Sequence, residues 1–150
     1  MAIASAVVAS AVIGAVPRKA SAILPPERKC QATLRLFADH TKLTLAHRSK
    51  WDTDTWAVHP PNEILPAGKS LTMGRVGHWD SRGGLFRGCH NDIRYDTHGH
   101  GTLEFTMTKH YNGDQSFDCR NLKTGESGCH EVKERSSHTT LSVNFVVNLP

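Results

Sequence analysis

No segment of this sequence carries a convincing apolar stripe at helical spacing, and no Cys-x-x-Cys pair occurs in it. The first absence argues against an α-helical or α/β domain. The second removes the paired thiolates on which structural zinc sites are built. Internal repeats are lacking as well, so nothing suggests a solenoid or a propeller. A serine nucleophile at a strand-to-helix turn is also missing. Its nearest approach, Gly125-Glu126-Ser127-Gly128, lies in a polar loop, and 150 residues are too few for a two-barrel protease.

Long apolar runs are confined to the beginning of the chain. Residues 2–16 read AIASAVVASAVIGAV, a length that suits a signal peptide and is short for a membrane span. Ala20-Ser21-Ala22 has the small-x-small pattern of a cleavage site. The pattern predicts a signal peptide over 1–22, with room for a short propeptide to about residue 29, and one domain over 30–150 in an exported protein. Net charge is low. The chain carries 18 basic and 14 acidic residues, and loss of Arg18 and Lys19 with the leader leaves 16 against 14. Such a balance calls for no specific nucleic-acid partner. Ten histidines, all beyond the leader, make the protein more cationic in an acidic exterior. Attraction to anionic surfaces is then expected to rise as pH falls.

Cysteine is scarce but even in number. Cys30, Cys89, Cys119 and Cys129 all follow the leader, which in a small exported chain reads as two disulfides. Four cysteines allow three pairings. The closeness of Cys119 and Cys129 around the loop NLKTGESG favours 119–129, with 30–89 as the second bridge.

What fills the rest is short alternation. ATLRLF at 32–37, KLTLAH at 42–47, KSLTMGR at 69–75, NDIRYD at 91–96, TLEFTMT at 102–108, QSFDCR at 115–120, CHEVKE at 129–134 and residues 139–147 all read as strands. The short ADHT link suggests that the first two form a hairpin. VGHWDSRGG at 76–84 reads as a loop because of its glycines, and THGHG and Asn112-Gly113 read as turns. About eight short strands of this kind argue for a β-sandwich or a small barrel, and an all-β antiparallel sandwich stapled by two disulfides is expected.

Candidate chemistry is thin. His98-Gly-His100 could offer two metal ligands, but the glycines make it a turn, and no metal or cofactor is called for. An acid–base ribonuclease could draw on Glu104, His110, His90 and Arg94 as base, acid and phosphate clamp. The segment WAVHPPNEILPAG at 56–68 is the most unusual stretch. Its prolines cannot donate to a ladder, so it is expected to skirt a sheet edge. Trp56 and Ile64 are expected to anchor it in the core. Trp51 and Trp79 have weaker periodic context and are expected to be exposed.

The order of these stretches, LTLAHRSKWDTDTWAVHPPNEILPAG, HWDSRGGLFRGCHNDIRYD and LEFTMTKHYNGDQSFD, resembles that of the aegerolysin-type and actinoporin-like secreted β-sandwiches. Trp56, Pro60, Pro61, Ile64, Pro66, Gly68, Gly88, Tyr95, Tyr111 and Gly113 carry the resemblance, which spans roughly residues 32–118. It implies a non-enzymatic protein that binds membrane lipids, in some members forming pores with a larger partner. The basic composition, the cysteines and the leader depart from aegerolysins. ILPPERKC cannot serve as an actinoporin-like pore helix, because prolines interrupt it. The expected function is therefore recognition of membrane lipid headgroups or cell-surface glycans, as a small toxin or host-directed effector, through Trp51, Trp79, Tyr111 and His110. A secreted ribonuclease and a structural or adhesion protein of the cell wall are the alternatives.

Overall fold

Apolar-polar alternation in the sequence becomes alternation of burial in the computed structural model, which describes residues 27–37, 42–49, 55–66, 76–83 and 88–149. Strand β1 (Lys29–Leu36) buries every second residue: Cys30, Ala32, Leu34 and Leu36 point inward. Strands β6 (Cys89–Asp96), β7 (Thr102–Lys109) and β10 (Thr140–Val147) do the same. The others are β2 (Leu43–Arg48), β3 (Thr55–Val58), β4 (Glu63–Ile64), β5 (Val76–Arg82), β8 (Gln115–Asn121) and β9 (Glu131–Ser136). The leader, the expected strand at 69–75 and Trp51 lie outside the described residues.

The ten strands form two five-stranded sheets. Sheet A has the order β3-β5-β1-β10-β9 and sheet B the order β4-β2-β6-β7-β8. All described pairs are antiparallel except β1 with β10, which run parallel at the middle of sheet A. The inward side chains of the inner strands of each sheet meet the other sheet across one dry layer. The middle of that layer is aromatic. Trp79 of β5 stacks on Phe145 of β10 at 6.3 Å, and Phe145 meets Phe105 of β7 edge-on at 4.9 Å. Tyr95 of β6 completes the group, 6.3 Å from Trp79. A side chain of this kind buried in full contributes about 1.5–3 kcal/mol.

Both disulfides form, in the favoured pairing. Cys30–Cys89 ties β1 of sheet A to β6 of sheet B, and Cys119–Cys129 closes the loop after β8. The proline segment is one of the chain's crossings between sheets. Thr55–Val58 lies on the edge of sheet A and Glu63–Ile64 on the edge of sheet B, so Pro60 and Pro61 carry the chain across the sandwich. The Tyr95 hydroxyl donates to the Pro61 carbonyl at 2.8 Å and fixes the crossing from inside. Burial pushes the Tyr95 phenol well above its ordinary range, so it remains a donor. Ile64 is buried and Trp56 packs partly against the core, as the sequence suggests.

Three sequence expectations are corrected. Residues 76–82 form a strand, not a loop. Gly77 is there because a Cβ would stand 2.4 Å from Ile64 Cδ1, so it marks a close approach within a strand. Trp79 is 0% exposed, because alternation along β5 turns it inward with Ser81. The link between β1 and β2 is no hairpin: β1 pairs with β5 and β10, β2 with β4 and β6. Their leucines face one core from opposite sheets, which alternation alone does not distinguish from neighbours in one sheet.

Two outcomes test this packing. A Cβ on Gly88 would lie 1.8 Å from the Lys109 carbonyl oxygen, so Gly88→Ala is expected to cost at least the roughly 1–3 kcal/mol of an overpacked core, read from the urea midpoint. The sequence separation is 59 for Cys30–Cys89 and 10 for Cys119–Cys129. Replacing the first pair by serine should therefore cost about 1.5 kcal/mol more than replacing the second, on chain-entropy grounds.

Candidate functional site

With the interior filled by side chains, the groups open to chemistry lie on the two outer faces and at the turns. Pairing register assigns the faces, because paired residues share one. Outward on sheet A stand Lys29, Gln31, Thr33 and Arg35 of β1, His78, Asp80 and Arg82 of β5, Ser142, Asn144 and Val146 of β10, and Glu131, Lys133 and Arg135 of β9. Five of these are cationic and two are carboxylates. Asp80 is nearly buried, accepts a bond from Gln31 Nε2 at 3.1 Å, and lies 4.0 Å from Arg82. Its charge is spent within the face.

Sheet B has the opposite balance. On β6, β7 and β8, Asp92, Asp96, Glu104 and Asp118 face outward, with Arg94 and Arg120 the permanent cations beside them. Arg94, Glu104 and Arg120 lie side by side across β6, β7 and β8. Arg94 Nε donates to Glu104 Oε2 at 2.9 Å and an Arg120 terminal nitrogen donates to Oε1 at 3.2 Å. Both carboxylate oxygens are thereby engaged.

The ribonuclease set is thus only partly assembled. Arg94 and Glu104 touch. His90 shares their face, bonds to Thr108 Oγ1 at 2.6 Å and stands 3.7 Å from Asp92. It is four residues along β6 from Arg94, or about 13 Å at the strand rise. His110 lies past the end of β7, six residues from Glu104, or about 20 Å. The expected ligand set divides as well. Trp51 is outside the described residues and Trp79 is core. His110 and Tyr111 are neighbours on the β7–β8 turn, with Tyr111 54% exposed. Arg28 supports the turn by donating to the Tyr111 carbonyl at 2.7 Å, and Gly113 takes the positive φ that closes it. Of the histidine pair, His98 contacts Thr44 Oγ1 at 2.7 Å, and the His100 amide donates to Thr97 Oγ1. Among the described residues no three His, Cys, Asp or Glu side chains cluster to hold a metal.

A concavity lies on the basic face. A groove of about 280 Å³ lies over β1, β10 and β9, lined by Thr33, Arg35, Phe37, Glu131, Lys133, Asn144 and Val146, with Phe145 beneath. Lys133 pairs with Glu131 at 3.1 Å, both well exposed, whereas no ion pair holds Arg35 among the described residues. Sequence reading missed this set because its members occupy the polar positions of strands recognised by their apolar ones. The parallel pairing of β1 with β10 places residues 33 and 144 side by side, and no local signal reports that.

Glu104→Ala would leave two guanidinium groups facing each other, and we expect it to lower stability by about 1 kcal/mol in a denaturant titration. No protein-family model matches this chain, and no curated protein is significantly similar to it.

Proposed function

We propose that this protein is an exported recognition module that docks on anionic cell-surface groups, membrane lipid headgroups among them, through the outer face of sheet A, without covalent chemistry. The segregation of charge carries this reading: Lys29, Arg35, Arg82, Lys133 and Arg135 gather on one face, while sheet B turns mostly carboxylates outward. A molecule polarised in this way is steered and oriented by an anionic surface even when its net charge is small. Two disulfides suit an oxidising exterior. The resemblance to aegerolysin-type sandwiches favours lipid among surface ligands. The basic face takes over the docking role that the sequence assigned to exposed tryptophans, since Trp79 is committed to the core.

A second reading rests on the contact between Arg94 and Glu104. RNA cleavage by the purified protein that Glu104→Gln abolishes would put a ribonuclease in place of the binding module.

Co-sedimentation with vesicles tests the first reading. Binding to phosphatidylserine vesicles should exceed binding to phosphatidylcholine vesicles and weaken with added salt. Lys133→Glu with Arg135→Glu should weaken it, while Lys123→Glu, on the loop after β8, should leave it unchanged. Equal sedimentation with both vesicles, or equal loss in both variants, would refute the orientation.

A further inference from the structure

We infer that the groove on sheet A is a binding site for a carboxylate-bearing sugar ring, the hexuronate unit of an acidic cell-surface glycan. The inference rests on the proposed docking face and names what that face would select.

Geometry comes first. The groove covers two successive outward rows on three adjacent strands. Thr33, Asn144 and Lys133 form one row, and Arg35, Val146 and Glu131 form the next. Strand spacing and rise make this floor roughly 10 Å by 7 Å. The short side chains of Asn144 and Val146 lie in the middle strand, and the long ones of Arg35 and Lys133 rise at opposite corners. The volume, about 280 Å³, is at the lower edge of the roughly 300–1,000 Å³ typical of drug-sized ligands, which suits one ring rather than a chain.

Chemistry then selects the ring. Arg35 presents a planar fork that matches a carboxylate with two parallel bonds. The Lys133–Glu131 pair, exposed at both ends, adds one donor group and one acceptor at the far wall. Glu131 can accept from ring hydroxyls, and it opposes a phosphate dianion more strongly than a singly charged carboxylate. Thr33 and Asn144 supply further hydroxyl and amide partners. Phe37 and Val146 offer an apolar surface for the C–H face of the ring. Mixed walls of this kind fit a polyhydroxylated acid better than a lipid tail or a bare phosphate.

Titration calorimetry with oligogalacturonate, its neutral methyl ester and inorganic phosphate decides the matter, alongside the vesicle assay on the same samples. The free acid should bind, and the ester and phosphate should bind at least about tenfold more weakly. Arg35→Gln should weaken the acid about ten- to a hundredfold, the range of a charge-assisted bond. Arg35→Lys, which keeps the charge and loses the fork, should fall between. Lys123→Gln, on the loop after β8 and away from the basic face, should change oligogalacturonate binding less than about twofold. Thermal unfolding of each variant separates a lost contact from a lost fold. Acid and ester bound alike, phosphate preferred, or Arg35→Gln and Lys123→Gln equal in effect would each overturn the assignment. Vesicle binding without oligogalacturonate binding would overturn the assignment and keep the docking face. Loss of both would remove the face as well.

Discussion

Everything in this molecule depends on the closure of two sheets over one layer of side chains, with Trp79, Tyr95, Phe105 and Phe145 at its centre. Strand alternation leaves each sheet with one apolar and one polar side, and only face-to-face packing removes the apolar sides from water. The same closure determines which residues are available for function. A tryptophan drawn into the interior is unavailable to a ligand, and the polar positions of the same strands become a surface.

Two of the connections between sheets differ in kind. Cys30–Cys89 is a covalent strut at one end of the layer. The proline segment is a stiff crossing at the side, held by the Tyr95 hydroxyl. Proline suits the crossing because the chain must leave one ladder before joining another and has no use for a backbone donor in between. Edge strands β3 and β4 are short, which limits unwanted pairing with another chain. At the other edge of sheet A, β9 is exposed throughout and carries Glu131, Lys133, Glu134 and Arg135 to the same effect.

Much of the fold was legible because the core strands repeat apolar residues with a period of two. Residues 91–96 and 102–108 fall within strands β6 and β7, and 139–147 covers β10, for that reason. Strand β5 was hidden. Its inward positions are Gly77, Trp79 and Ser81, only one of which looks apolar, and its glycine reads locally as a breaker while its role is to admit Ile64. The partition of β1 and β2 between sheets was hidden because alternation gives a face but no partner. The groove was the least legible feature. Arg35, Asn144 and Lys133 become neighbours through a register that joins β1, β10 and β9 over more than a hundred residues of chain. By contrast Arg94 and Glu104 sit on adjacent strands joined by one tight turn, and their meeting was within reach of local reading.

The parallel pairing of β1 with β10 has a kinetic side. These are the earliest and the latest of the described strands, and they lie together in the middle of sheet A. While the ribosome is still translating the region before β10, sheet A lacks its central partner. Sheet B, whose β6, β7 and β8 are joined by successive tight connections, can assemble sooner. Its apolar side then waits for a cover, and during that interval the nascent chain is most exposed to aggregation.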